Sequence, residues 1–257
     1  MNTLDLRVRY FQDSPPPGRP YREEHFVRRE IAMSLPLDQT ALVLVDLWDT
    51  HFIESFVERA GEVTRDAVVP VLETARAAGL TVIHAPSPRV TPSFPEHMAR
   101  NRPVEQESEP DWPPPAFRNR QGEYEAFRGP RQQPPGVPDV TIGMSPLVDV
   151  ADGDYMVETG QQLHELCRDR GLLHLLYAGY ATNWCVHHRN YGLRSMSLRG
   201  YNTILLRDAT TGIEYPDTVD TLTATEMSVR EAEQQLGFSA ANRDFFAACE
   251  RLKGEDR

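Results

Sequence analysis

Apolar runs that close on an acid or a small residue recur along this chain and alternate with stretches of helical spacing. Ala41-Leu42-Val43-Leu44-Val45 leads straight into Asp46. A continuous, β-branched run of this kind predicts a parallel strand buried on both faces. Leu80-Thr81-Val82-Ile83-His84-Ala85 and Leu172–Ala178 predict two more, and Asn202–Asp208 another that ends in an acid. Asp154–Glu158 predicts a short strand. Between them, Arg65 to Ala78 places Val68, Val69, Leu72, Ala75 and Ala78 near helical spacing and stops at Gly79. Gln161 to Arg170 predicts a helix with Leu163 and Leu166 inward, stopped at Gly171. Trp184 to Arg199 has helical length and meets Gly200, with Asn183 as its N-cap. Two helices are expected at the end, about Thr218 to Leu236, then Ser239 as N-cap to Leu252. This order predicts a doubly wound, mainly parallel α/β sheet with helices on both faces.

Residues 1–38 mix charge, proline and short apolar pieces, and read as an extension lying across the domain or a partner subunit. The α/β domain itself is expected over 39–257. Regular patterning stops between about 86 and 138, where prolines cluster, as in Trp112-Pro113-Pro114-Pro115 and Gln133-Pro134-Pro135-Gly136. Aromatic residues there (Phe94, Trp112, Phe117, Tyr124, Phe127) predict an ordered arm. An arm and an extension together predict a homo-oligomer, a dimer or tetramer.

The 257 residues suffice for a buried core, and 40% hydrophobic with 25% charged content suits a globular protein. A net charge of −11 argues against nucleic acid or an anionic membrane as partner. No run reaches the length of a membrane span, and the N-terminus lacks the apolar region of a signal peptide. Cys167, Cys185 and Cys249 show no close pairing and read as reduced thiols of a cytoplasmic protein. Lys253 is the only lysine against many arginines, a bias consistent with a GC-rich bacterial genome.

Ligands of a doubly wound sheet sit beyond the carboxyl ends of its strands. That edge collects Asp46, His84, Asp208 and the turn Gly179-Tyr180-Ala181-Thr182-Asn183-Trp184-Cys185-Val186. A cysteine in a first helical turn, near unpaired N–H groups and beside a carboxylate, has the setting of a nucleophile. The carboxylate takes the thiol proton, and backbone N–H groups can hold an oxyanion.

These pieces together resemble the isochorismatase-like cysteine hydrolases, a superfamily that includes nicotinamidases and N-carbamoylsarcosine amidases. The resemblance spans roughly residues 38–212 and is carried by the strand ending Val45-Asp46, the strand ending His84-Ala85, the Gly-x-x-Thr-x-x-Cys-Val turn and the strand ending Leu206-Arg207-Asp208-Ala209. It implies Cys185 as the nucleophile on an amide-type carbonyl and Asp46 as the acid that activates it. It also implies a cis peptide at Tyr180–Ala181, helping to form the oxyanion hole with the Cys185 N–H. The family's third catalytic residue is a lysine on the strand before the turn. Here Glu158 or Thr159 stands in its place, and the loop that follows is shortened. The family's first loop, usually Asp-Met-Gln-Asn-Asp-Phe, reads Asp46-Leu47-Trp48-Asp49-Thr50-His51-Phe52. The Asp-x-His metal motif of nicotinamidases is missing from Ala85-Pro86-Ser87-Pro88. No metal or other cofactor is expected.

Other residues keep two readings. His51 and His84 are satisfied polar groups at the sheet edge, or proton shuttles, or metal ligands with Asp49. Trp48 and Trp184 are core, or an aromatic wall for a flat substrate. His188 and Arg189 share a helical face with Cys185, and supply the missing positive charge or are solvated. Glu158 enters as a catalytic candidate only through the resemblance. Asp208 is expected to order a loop, and Cys167 and Cys249 to be core. The expected function is cleavage of a C–N bond in a small amide or ureide. The alternatives are a binding or structural homologue without hydrolysis, and acid-catalysed ether hydrolysis without covalent cysteine chemistry, with Asp46 or Glu158 as the acid.

Overall fold

Leu4, Leu6 and Val8 alternate with Asp5, Arg7 and Arg9, and this period of two gives the first strand, β1 (Thr3–Gln12), one buried face. It pairs antiparallel with β2 (Val27–Pro36) along its whole length. The extension expected across the domain is therefore a hairpin that widens the sheet. In the computed structural model, which describes residues 2–104, 111–128 and 142–255, contacts divide the chain into two units. One holds Met1–Arg102 with Ile142–Arg257, the other Pro103–Thr141.

In the larger unit, β3 (Thr40–Val45) is buried throughout. After it come α1 (Glu54–Val63), a π-helical turn over Thr64–Val68, and α2 (Val69–Ala77). Pro70 lies in the first turn of α2, where its missing N–H leaves the preceding helix unable to continue its regular bonding. Then follow β4 (Thr81–Ala85), α3 (Pro95–Met98), and, in the smaller unit, α4 (Pro115–Arg118). The larger unit resumes with β5 (Tyr155–Met156), α5 (Gly160–Arg170), β6 (His174–Tyr180), α6 (Leu193–Leu198), β7 (Asn202–Thr211), α7 (Thr223–Glu231), β8 (Phe238–Ala240) and α8 (Asn242–Glu255).

The eight strands run in the order β2-β1-β8-β7-β6-β3-β4-β5. Strands β3 to β8 are parallel to one another, and β1 is antiparallel to both β2 and β8. One face packs Leu42, Leu44, Leu176 and Leu206 against α1, α2 and α8. The other packs Val43, Val45, Tyr177 and Leu205 against α5, α6 and α7. Helices on both faces of a mainly parallel sheet make this the doubly wound architecture that the pattern predicts.

Three expectations are corrected. Ser239 lies in β8 rather than capping a helix; α8 starts at Asn242, whose N–H is received by Asp208 Oδ2 at 2.9 Å. The helix expected over Trp184–Arg199 is broken after His188, and α6 begins only at Leu193. Asn183 does not cap a helix, because its side chain is spent on Ile213. The hairpin is anchored by Glu233, a buried carboxylate that pairs with Arg9, Arg28 and the Ser239 hydroxyl.

The smaller unit has its own contacts. Phe117 packs edge-on against Tyr124 at 5.1 Å, Arg120 covers the Phe117 ring, and the Trp112–Pro113 bond is cis. The Gln133–Gly136 run, and with it part of the expected arm, lies outside the described residues.

Candidate active site

Val45 of β3 pairs with Gly179 of β6, so the two chains leave the sheet side by side. Gly179 has φ +118, and a Cβ there would lie 2.0 Å from the Val45 carbonyl oxygen. Only glycine permits both the conformation and the approach. Beyond it the Tyr180–Ala181 peptide is cis, and Thr182–Val186 form a single π-helical turn. That turn is tied to the exit of β7. Thr210 donates to the Gly179 carbonyl and shares a 2.7 Å bond with Thr182, and Asn183 bonds both backbone groups of Ile213. Cys185 is thereby fixed at the sheet edge, half-buried.

Asp46 follows β3 directly with φ +45 and is fully buried. Arg189, four residues past Cys185, reaches back to it: Nε and Nη2 donate to Oδ2 at 3.3 and 3.2 Å. Oδ1 receives no full hydrogen bond, though the Cys185 thiol and the Ser87 N–H lie close enough to act on the carboxylate. Burial raises the Asp46 carboxyl above its ordinary value, against the pull of Arg189 and of the Cys185 thiol. Burial, together with the Asp46 charge, pushes the Cys185 thiol up to about 12, while Arg189 opposes the rise. The resting state is therefore a neutral thiol beside an aspartate–arginine pair.

Glu158 follows β5. Its Oε2 accepts from Thr91 at 2.6 Å, and its N–H donates to Gln162. Gly160, the next residue but one, packs so tightly on the segment after the cysteine that a Cβ would lie 1.9 Å from the Asn190 oxygen. Between Glu158 and the cysteine turn stands Tyr191, buried, its hydroxyl on the Pro86 carbonyl at 2.9 Å. The charges of Asp46, Arg189, Cys185 and Glu158 all act on this phenol, which burial raises well above its usual range.

The remaining candidates separate. His51 stacks between Trp48 (4.8 Å) and Phe52 (4.3 Å), with Phe56 and Trp184 at its edge. Its Nδ1 accepts from the Ile53 N–H, and burial lowers its affinity for a proton. The Trp48 ring, 8% exposed, has an indole N–H with no acceptor, whereas Trp184 is exposed. His84 points elsewhere: its Nε2 meets Asp154 at 2.9 Å, and Asp154 in turn pairs with Arg76. That buried group holds β4 to the start of β5 and has no tie to Cys185. His188 is exposed and packs on His187. Thr91, Tyr191 and the Ser87 N–H were not legible as site groups, since nothing local in their segments signals chemistry. Among the described residues no three His, Cys, Asp or Glu converge as metal ligands. Among the described residues no helix is long and apolar enough to cross a membrane.

A family model described as the isochorismatase domain matches residues 40–232. Among solved structures, the chain is similar to a cysteine hydrolase from Pseudomonas syringae pv. phaseolicola 1448A, with TM-score 0.53 and 17% identity over 85% of this chain and 95% of that one. It is also similar to an isochorismatase family protein from Burkholderia thailandensis, with TM-score 0.50 and 19% identity over 83% and 96%. At these identities the likeness is one of fold. No curated protein gives a significant match.

Proposed function

This chain belongs to the isochorismatase family, whose model spans residues 40–232, and we propose that it hydrolyses a C–N bond of a small amide or ureide through Cys185. Members of the family are typically hydrolases. The observation that carries the finer reading is the cluster of half-buried Cys185 and Arg189 around buried Asp46 at the carboxyl edge of the sheet.

Asp46 accepts the thiol proton as Cys185 sulfur attacks the carbonyl carbon. The carbonyl π electrons move onto oxygen, and N–H groups of the 181–185 turn receive that oxyanion. The C–N bond then breaks, the leaving nitrogen takes the proton from Asp46, and an acyl thioester remains on Cys185. Water attacks the thioester, giving its proton to Asp46, and the thiol is restored with release of the acid. Arg189 keeps a positive charge beside both anions throughout. It stands in for the lysine that the resemblance leads one to expect on the strand before the turn, supplied instead from the cysteine's own segment.

The burial that raises Asp46 also suits the second reading, an acid-catalysed ether hydrolysis with Asp46 as proton donor. One experiment decides between them. The purified protein is incubated with a panel of small amides, ureides and vinyl ethers, and released amine or ammonia, the alcohol and carbonyl products of the ethers, and intact mass are followed. The covalent route requires a Cys185 acyl adduct, and a loss of about a thousandfold or more in both Cys185→Ala and Asp46→Asn. Turnover that survives Cys185→Ala overturns it and leaves the acid route.

A further inference from the structure

Glu158, which with Thr159 stands where the resemblance puts a cation, is a half-buried carboxylate held in place by a hydrogen bond. β4 and β5 are in register at His84 and Met156, and the ladder continues with Val157 N–H on the His84 carbonyl at 2.9 Å. On the other side of β4, the Asp46 N–H meets the Ala85 carbonyl at 3.3 Å. Asp46 and Glu158 therefore leave the sheet at one level, two strands apart, or about 10 Å. Thr91, itself buried, fixes one oxygen of Glu158. Tyr191 stands between the two acids and feels the charge of each.

The charge balance gives the position its meaning. Asp46 and Arg189 cancel, and the Cys185 thiol is neutral at rest. Among the described residues no basic side chain pairs with Glu158. Glu158 therefore presents a carboxylate held by the Thr91 hydroxyl, with no ion pair among the described residues to balance it.

We propose that Glu158 is a specificity-determining residue, receiving a cationic or N–H-rich end of the substrate whose carbonyl Cys185 attacks. This rests on the Cys185 reading above and narrows its substrates to basic or ureide-like, donor-rich molecules. Substrates that carry a carboxylate at that end are repelled. An N–H donor fits the acceptor-only chemistry of an ionised Glu158, with Thr91 already satisfied on Oε2.

The test uses three methanethiosulfonates on the full chain: methyl (neutral), trimethylammonioethyl (cationic) and sulfonatoethyl (anionic). Modification of Cys185 is followed by peptide mass, with Cys185→Ser as control for the buried Cys167 and Cys249. All three probes need the same thiolate, so its ionisation cancels in the ratio of rates. Relative to a small neutral thiol, the native protein is expected to favour the cation over the anion by about fivefold or more, as one half-screened charge would. Glu158→Gln should lower that ratio by about fivefold, Glu158→Asp should keep it, and Thr91→Val, which frees the carboxylate, should lower it by less. A ratio unchanged within about twofold in Glu158→Gln overturns the proposal. Failure of the Cys185 reading appears elsewhere, as turnover surviving Cys185→Ala, and does not touch the ratio.

Discussion

Arg189 donates twice to a single oxygen of Asp46, across 143 residues of chain. The acid is wholly buried, and the arginine, with a third of its side chain exposed, enters from the rim. Because both bonds fall on Oδ2, the other oxygen is left without a full hydrogen bond. The pair thus keeps one carboxylate lone pair available to take a proton while its charge is balanced.

Arg189→Met should therefore injure two properties together. Turnover of any amide substrate is expected to fall about a hundredfold or more, as on loss of a positioned charge. Stability should fall by roughly 1–3 kcal/mol, the lower part of the range for stripping a buried acid of its partner, because Arg189 is partly solvated and Asp46 can protonate. Arg189→Lys keeps the charge without the two-pronged geometry and should recover most of the stability and part of the rate. Urea melts at neutral pH and initial rates measure both.

The Asp154 carboxyl is held down to about 2, from an ordinary 3.8, by His84, Arg76 and the Ala151 N–H, against the opposing effect of burial. A lowered acid stabilises the fold above its unfolded value and loses that contribution as pH falls through its folded one. The native protein should accordingly lose about 2 kcal/mol from this group between roughly pH 4 and 2. In Asp154→Asn that part of the acid slope should vanish, and stability at pH 7 should be lower from the start. Denaturant melts across pH 2–7 would show a parallel slope in both proteins if the group were unimportant.

His187 gives a slope in the same sense at higher pH. Its ring is buried with neither nitrogen in a full hydrogen bond, and burial lowers it from 6.5 to about 4, helped by His188 and Arg194 and opposed by Glu231. Such a histidine stabilises the fold while neutral and costs stability as pH drops through that interval. His187→Leu should flatten the stability curve there and leave neutral-pH stability unchanged or raised, since only a 3.5 Å contact with Glu231 is lost. A variant that keeps the slope would assign it to another group.

Gly179→Ala should be among the most damaging single changes in the chain. The added methyl meets the Val45 carbonyl at 2.0 Å, and the backbone is held at φ +118. A loss of more than about 3 kcal/mol, or failure to recover folded protein, is expected. Gly79→Ala, with nothing within 4 Å of the new methyl, carries only the conformational part and serves as the control in thermal melts.

The central strands were legible because burial on both faces leaves an unbroken apolar run, as in Thr40–Val45 and His174–Tyr180. β1 carried an equally clear signal, Leu4, Leu6 and Val8 in alternation, that the surrounding charges and prolines hid. Three-residue β8 has too few positions for any period to show. At the site, the cysteine turn and Asp46 stood out because local sequence specifies them. The pairing of Arg189 with Asp46 did not, since no local pattern encodes a contact between segments so far apart. His84 kept two readings for the same reason: a histidine ending a strand can be satisfied or reactive, and its partner, Asp154, lies 70 residues away. Asn183 misled, as a good capping residue whose amide is claimed by the backbone of Ile213.

Cys185 and Arg189 sit on one short length of chain, whose own backbone links them through the Arg189 N–H and the Cys185 carbonyl. Asp46 alone belongs to another strand, so the spacing of the three residues depends on one gap, that between the ends of β3 and β6. Nothing adjustable sets this gap: it is the width left by the methyl that residue 179 does not have. Glu158, two residues beyond β5, takes no part in that contact, so an exchange at position 158 leaves the approach of the two strand ends as it is.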